Sequence, residues 1–191
     1  MKVLIACECS GVTRRAFRDA GHDAWSVDIK PSDDSSEFHM TADAAEVISY
    51  GWDLMIAHPP CTYLSNSGVR WLHEDVTRWP KLFEAAAFFK LFLDAPVKHI
   101  AIENPVMHKY GLQLIGRGPD FSFQPWQHGH GETKRTCFWL NNLPVLKPSK
   151  YHEGREQRVF NMDPSEDRAA MRSRTFEGVA AAMLKQWGNV K

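Results

Sequence analysis

Short apolar runs alternate with amphipathic stretches along most of this chain. Residues 2–7 (KVLIAC) form a continuous apolar run that predicts a buried strand, and 11–20 follow as a helix that Gly21 ends. A second strand is expected over 24–28 (AWSVD), a weak third over 38–41, a helix over 42–49 and a further buried strand over 53–57 (DLMIA). An irregular segment leads to a helix over 81–93 (KLFEAAAFFKLFL), then to a strand over 99–102 that runs into Glu103-Asn104-Pro105. Beyond residue 112 the helical signal thins: 121–126 and 136–140 (TCFWL) read as strands, and 144–174 as a charged, mostly looped segment. Phe176, Val179, Ala180, Met183, Leu184 and Trp187 then recur at three- and four-residue spacing, which predicts a closing helix (175–188) with one buried face.

Each early strand ends in polar, glycine or proline residues. Alternating strands and helices of this kind predict an α/β fold: an open, mostly parallel sheet with helices on both faces and ligands at its carboxyl edge. A chain of 191 residues with 43% apolar composition suits a single domain, 1–191. No apolar run approaches the roughly 20 residues that cross a bilayer, so no membrane partner and a soluble, cytoplasmic protein are expected. The four cysteines, Cys7, Cys9, Cys61 and Cys137, are too few and scattered for a secreted disulfide framework, which leaves reduced thiols as the expectation.

Lys and Arg balance Asp and Glu at 23 each, but unevenly along the chain: residues 1–60 hold five basic against ten acidic side chains, and 61–191 hold eighteen against thirteen. An acidic first part suits a cationic ligand and a basic second part a polyanion; solvated faces account for the same counts equally well. The segment 144–174 carries Lys147, Lys150, Arg155, Arg158, Arg168, Arg172 and Arg174 among five acids, and reads either as a phosphate-contacting loop or as plain surface.

Cys61 follows His58-Pro59-Pro60 directly after a buried strand. Two prolines fix the backbone there and hold the thiol at the sheet edge, a poor site for a packing cysteine and a good one for a nucleophile. An unperturbed thiol near pKa 8.5 is only a few per cent thiolate at neutral pH, so nearby cations or amide dipoles must lower it. Glu103-Asn104-Pro105 stands in the same relation to its own strand, placing a carboxyl group beside Cys61 if the strands are neighbours; the plainer reading of Glu103 is a helix cap or a loop ion pair. His128-Gly129-His130 together with Cys7-x-Cys9 raises a metal reading, but no second closely spaced cysteine pair accompanies it, and the expectation is no metal, with His128 and His130 on the substrate side.

The order of these motifs resembles the cytosine-5 DNA methyltransferase family, in particular short members of the kind carried by phages, over nearly the whole chain. Ala6-Cys7-Glu8-Cys9-Ser10-Gly11 is similar to the family's cofactor strand and glycine turn, Asp28 to its ribose-binding acid and Asp43 to its adenine-contacting acid. Pro59-Pro60-Cys61 resembles the nucleophile motif, Glu103-Asn104 the Glu-Asn dipeptide, Lys134-Arg135-Thr136 the arginine-containing strand entry, and Ser173-Arg174-Thr175-Phe176-Glu177-Gly178 the closing motif. The chain departs from the pattern in three places. It has one glycine in the first motif, only an approximate basic motif at 134–136, and just 144–174 where the family inserts a large target-recognition region, which implies short or weak sequence specificity.

The resemblance implies a Rossmann-like, S-adenosylmethionine-dependent fold whose cofactor is held by Cys9, Ser10, Gly11, Asp28, Ile29, Asp43, Pro59 and Gly178. It implies transfer of a methyl group to C5 of cytosine in DNA. Cys61 adds to C6, Glu103 contacts the ring at N3 and N4, and Arg135, or else Lys134, balances charge on the carbonyl side. Pro60, Asn104, His128, His130 and Arg174 complete the substrate side. A base stacked in a duplex is out of reach, so the nucleotide is flipped out or the strand is single. A Glu103 that donates a proton needs a pKa above the ordinary ~4.3. Two other readings stay open: the same chemistry on a free pyrimidine nucleotide, and a nucleic-acid-binding module without turnover. An amino-group methyltransferase is disfavoured, because its equivalent turn ends in an aromatic residue.

Overall fold

The computed structural model describes residues 1–165 and 168–190. Seven strands form one sheet in the order β3-β2-β1-β4-β5-β7-β6: β1 (Lys2–Ala6), β2 (Asp23–Asp28), β3 (His39–Thr41), β4 (Leu54–Ala57), β5 (His99–Pro105), β6 (Phe121–Phe123) and β7 (Thr136–Asn141). The first five run parallel, and β7 enters antiparallel between β5 and β6.

The central strands are apolar on both faces, as a sheet covered on each side requires. In β4, Leu54 and Ile56 pack into one core with α1 (Val12–Asp19) and, from the far end of the sequence, α8 (Glu177–Trp187). Met55 and Ala57 pack into the opposite core with residues of α2 (Ala44–Val47), α3 (Trp71–Glu74), α4 (Arg78–Leu93) and α5 (Lys109–Ile115). Helices therefore cover both faces of a mostly parallel sheet, as the alternation of elements predicts. Among the described residues no helix is long and apolar enough to cross a membrane.

Several expectations need correction. Glu103-Asn104-Pro105 does not follow its strand but belongs to β5, because Glu103, Asn104 and Pro105 pair with Phe138, Cys137 and Thr136 of β7. The strand expected over 121–126 stops at Phe123, and a capped 3-10 turn at Pro125–Gln127 replaces its end, since proline has no N–H for a ladder. The irregular segment before residue 81 contains α3, and α4 starts at Arg78 with Pro80 in its first turn, where no N–H is missed. Helix α5, ended by Gly116 at φ 78°, lies where helical signals were expected to thin. The segment 144–174 is mostly irregular, as expected, with two short helices, α6 (Arg158–Asn161) and α7 (Arg168–Ser173); its acids Glu166 and Asp167 lie outside the described residues.

Candidate active site

Parallel strands bring the segments after β1, β2, β3 and β4 to one edge, together with the carboxyl half of β5. Because β7 is antiparallel, its entry at 134–136 arrives at that same edge. Ala57 is registered against Ile102, so His58 and Glu103, each one residue further on, face each other across neighbouring strands. The His58 Nδ1 lies 2.9 Å from the Glu103 carboxylate, both side chains being largely buried. One step on, the Asn104 amide donates to the Pro59 carbonyl at 2.8 Å, locking the proline turn that carries Cys61 to β5. That turn closes as the Cys61 carbonyl accepts from the Leu64 and Ser65 amides.

His58, Glu103, Lys134, Thr136, Ser173 and Arg174 line one cleft. Lys134 donates to the Arg172 carbonyl at the end of α7 (2.7 Å). Burial pushes the Cys61 thiol above its ordinary value and the Glu103 charge adds to this, while Lys134 and Arg172 pull it back. The cation effect anticipated for Cys61 is thus present but outweighed before a ligand arrives. Burial also pushes Glu103 upward, but the hydrogen bond with His58 and the charges of Lys134 and His58 more than offset it, leaving the carboxyl below its usual range. The raised Glu103 that proton donation calls for is not found; its carboxyl is shifted the other way. Of the two basic candidates, Lys134 faces this carboxylate, whereas Arg135 is exposed and lies outside the cleft, acting electrostatically on Cys137.

At the cofactor end, Cys7 adopts φ 58° and turns the chain out of β1. Buried Glu8 then folds its carboxylate over the start of α1, accepting from the amides of Thr13 (2.8 Å) and Arg14 (3.3 Å) and from the Ser10 hydroxyl (3.3 Å). Gly11 sits at φ 66°, a left-handed conformation that glycine adopts without strain, directly beneath the ion pair of buried Arg14 with Asp34. Arg14, 1% exposed, reaches Ser26 (2.8 Å) and Asp34 (2.5 Å), and Arg15 joins Asp34 at 2.6 Å. The Asp33 amide donates to the Cys9 carbonyl, so the loop after β2 is pinned over the glycine turn. Asp28 accepts from the Lys30 amide, and Asp43 caps α2 through the Ala45 amide, the role a helix start gives an aspartate. Burial first, then the charges of Asp28 and Asp43, push the Cys7 thiol up, which places both acids beside the β1 turn. Ile29 is strongly exposed and Pro59 is buried.

Three expected site residues face elsewhere. His128 is buried beside Ser149 and edge-on to Phe123, and burial followed by its neighbour His130 lowers its pKa to about 4. His130 accepts the Gly178 amide at 2.9 Å and packs tilted against Phe176, so it caps α8. A Cβ on Gly178 would stand 2.0 Å from the His128 carbonyl oxygen, a backbone atom with little room to move. Gly178→Ala is therefore expected to destabilise the protein by about 2–3 kcal/mol, lowering Tm by roughly 5–10 °C in calorimetry. Among the described residues no group of three His, Cys, Asp or Glu side chains lies close enough to hold a metal ion.

The sequence reading overlooked His58, Glu8 and the Arg14–Asp34 pair. His58 was detectable in principle, since an imidazole one residue beyond a buried strand shares its parity with the Glu one residue beyond the neighbouring strand.

No protein-family model matches this chain, and no curated protein sequence matches it. Among solved structures it is similar to an E. coli prophage-encoded protein described as a candidate DNA modification methyltransferase, with a TM-score of 0.50 and 16% identity. The match covers 85% of this chain and 55% of that one, so the chain spans about half the length of its neighbour. The architecture is a Rossmann-like α/β fold, shared with that neighbour. At this identity the likeness concerns architecture alone, and the chemistry rests on the residues at the sheet edge.

Proposed function

We propose that this protein is an S-adenosylmethionine-dependent DNA methyltransferase that modifies C5 of cytosine through a covalent Cys61 adduct. The observation that supports this most is the convergence of Cys61, Glu103 and Lys134 at one sheet edge, close enough for each charge to act on the thiol. C5 of cytosine is a weak nucleophile until something adds at C6. Cys61 supplies that addition; Glu103, an anion in its resting state, accepts from the exocyclic N4 amine and orients the ring. Lys134 faces the charge that develops on the ring and holds the carboxylate and thiolate in one site. Loss of the C5 proton afterwards expels the thiolate, and a flipped-out or single-stranded base supplies the access.

The residues at the other end fit the cofactor. Asp28 suits the ribose hydroxyls, and Asp43 the adenine amine. The backbone of Cys9, Ser10 and Gly11 offers close approach to the methionine end, with Ile29 and Pro59 flanking the adenine. S-adenosylmethionine, when bound, supplies an electrophilic methyl group. The first amides of α1, a common anion site, are already taken by Glu8, so the turn rather than the helix start receives the methionine end. Pro60, Asn104 and Arg174 belong to the substrate side, Asn104 through its hold on the Cys61 turn.

The test is incubation of the protein with labelled S-adenosylmethionine and DNA containing 5-fluorocytosine. A denaturation-resistant protein–DNA complex is expected, because fluorine does not leave as a proton does. Label found on an amino nitrogen, or adducts formed with free nucleotides and never with DNA, overturns the reading.

A further inference from the structure

His58 has no part in the chemistry described so far, yet its position is unusual. It is 9% exposed, its Nδ1 is bound to the Glu103 carboxylate at 2.9 Å, and it lines the cleft that Glu103 and Lys134 share. Its other ring nitrogen, Nε2, is buried with no hydrogen-bond partner among the described residues. A buried imidazole nitrogen left without a partner calls for a ligand or an ordered water to satisfy it. A carboxylate in an acid–base pair with histidine, beside a nucleophile, is also the arrangement by which enzymes move single protons.

We infer that His58 and Glu103 form a proton-carrying dyad, in which the imidazolium supplies the proton that Glu103 passes to the ring nitrogen N3 as Cys61 adds at C6. This rests on the cytosine reading above and deepens it. In the addition, the S–C6 bond forms and the ring's electron pair reaches N3. The His58 Nδ1 proton moves to the carboxylate and from there on to N3, so the dyad ends as neutral imidazole and carboxylate. On elimination the N3 proton returns by the same route, the C5 proton departs to solvent, and the thiolate leaves. The dyad thus explains how a carboxyl that rests as an anion still protonates the base. The charged and titratable groups facing it are Lys134 and Arg174 in the cleft and Cys61 on the adjoining turn.

The test compares wild type and His58→Asn, whose amide keeps a donor toward Glu103 but carries no titrating proton. The readout is the single-turnover rate of adduct formation with 5-fluorocytosine DNA across pH. Wild type is expected to give a bell-shaped profile. His58→Asn is expected to react about 100-fold more slowly, with a rate that only rises with pH as the Cys61 thiolate forms. A His58→Asn profile like that of wild type overturns the dyad and leaves the cytosine reading standing; no adduct with wild type overturns both. Should the variant not fold, the wild-type rate decides: slower adduct formation in D2O than in H2O supports the dyad, and equal rates overturn it.

Discussion

Cys61→Ser is expected to abolish covalent capture of 5-fluorocytosine DNA and to lower methyl transfer by roughly 10³-fold or more, while the protein stays folded. The hydroxyl of serine is a far weaker nucleophile toward C6 than a thiolate, and the charges of Lys134 and Arg172, which favour a thiolate, are too weak to ionise a hydroxyl. The fold is spared because Cys61 is only partly buried, and the turn it belongs to is held by its backbone and by Asn104. Stability should therefore change by no more than ~0.5 kcal/mol. Retained transfer with unchanged Tm in this variant would mean that Cys61 does not carry the reaction.

Asp34→Ala is expected to destabilise the protein at the cofactor end, away from the cleft. It strands the Arg14 guanidinium, buried to 1% exposure, with only serine hydroxyls for company. Arg14 is buried but Asp34 stands at the surface, where water partly replaces it, so the cost is expected to be about 2–3 kcal/mol, lowering Tm by roughly 5–10 °C. Because the same loop is pinned over the Gly11 turn, weaker binding of S-adenosylmethionine should accompany the loss, measurable by titration calorimetry. The double change Arg14→Met/Asp34→Ala should recover part of the stability, since no charge is then left unpaired. Hydrogen bonds from Ser32, Arg14 and Arg15 overcome the upward effect of burial and hold the Asp34 carboxyl well below its ordinary value. A carboxyl depressed in the folded state contributes stability that is fully present above its unfolded pKa, ~3.9, and is lost as pH falls toward the folded value. Denaturant midpoints measured from pH 5 downward should thus fall more steeply for wild type than for Asp34→Ala.

Most of the sheet was legible because buried parallel strands write themselves as short uninterrupted apolar runs, and β1, β2 and β4 fall within a residue of their expected ends. What escaped was set by long-range pairing. Nothing local marks Glu103-Asn104-Pro105 as strand; β7 does so by supplying partners from more than thirty positions away. Helices α3, α6 and α7 are too short for a helical period to show. At the site, Cys61 and Glu103 were legible from their place after buried runs. The choice between Lys134 and Arg135 was not, since adjacent residues entering a strand point to opposite faces and only the sheet decides which one meets Glu103. His128 packs against an aromatic ring and His130 against the start of α8, placements that depend on distant partners and leave no local mark in the sequence.

Helix α8 shares its core with α1, Phe17 and Trp187 lying in one cluster although they stand at opposite reaches of the sequence. During synthesis the first half of the sheet must therefore wait, one apolar flank bare, until α8 has left the ribosome. A stalled or clipped chain would expose that flank to other proteins, so nascent chains of this protein are natural clients for chaperones that bind greasy surfaces.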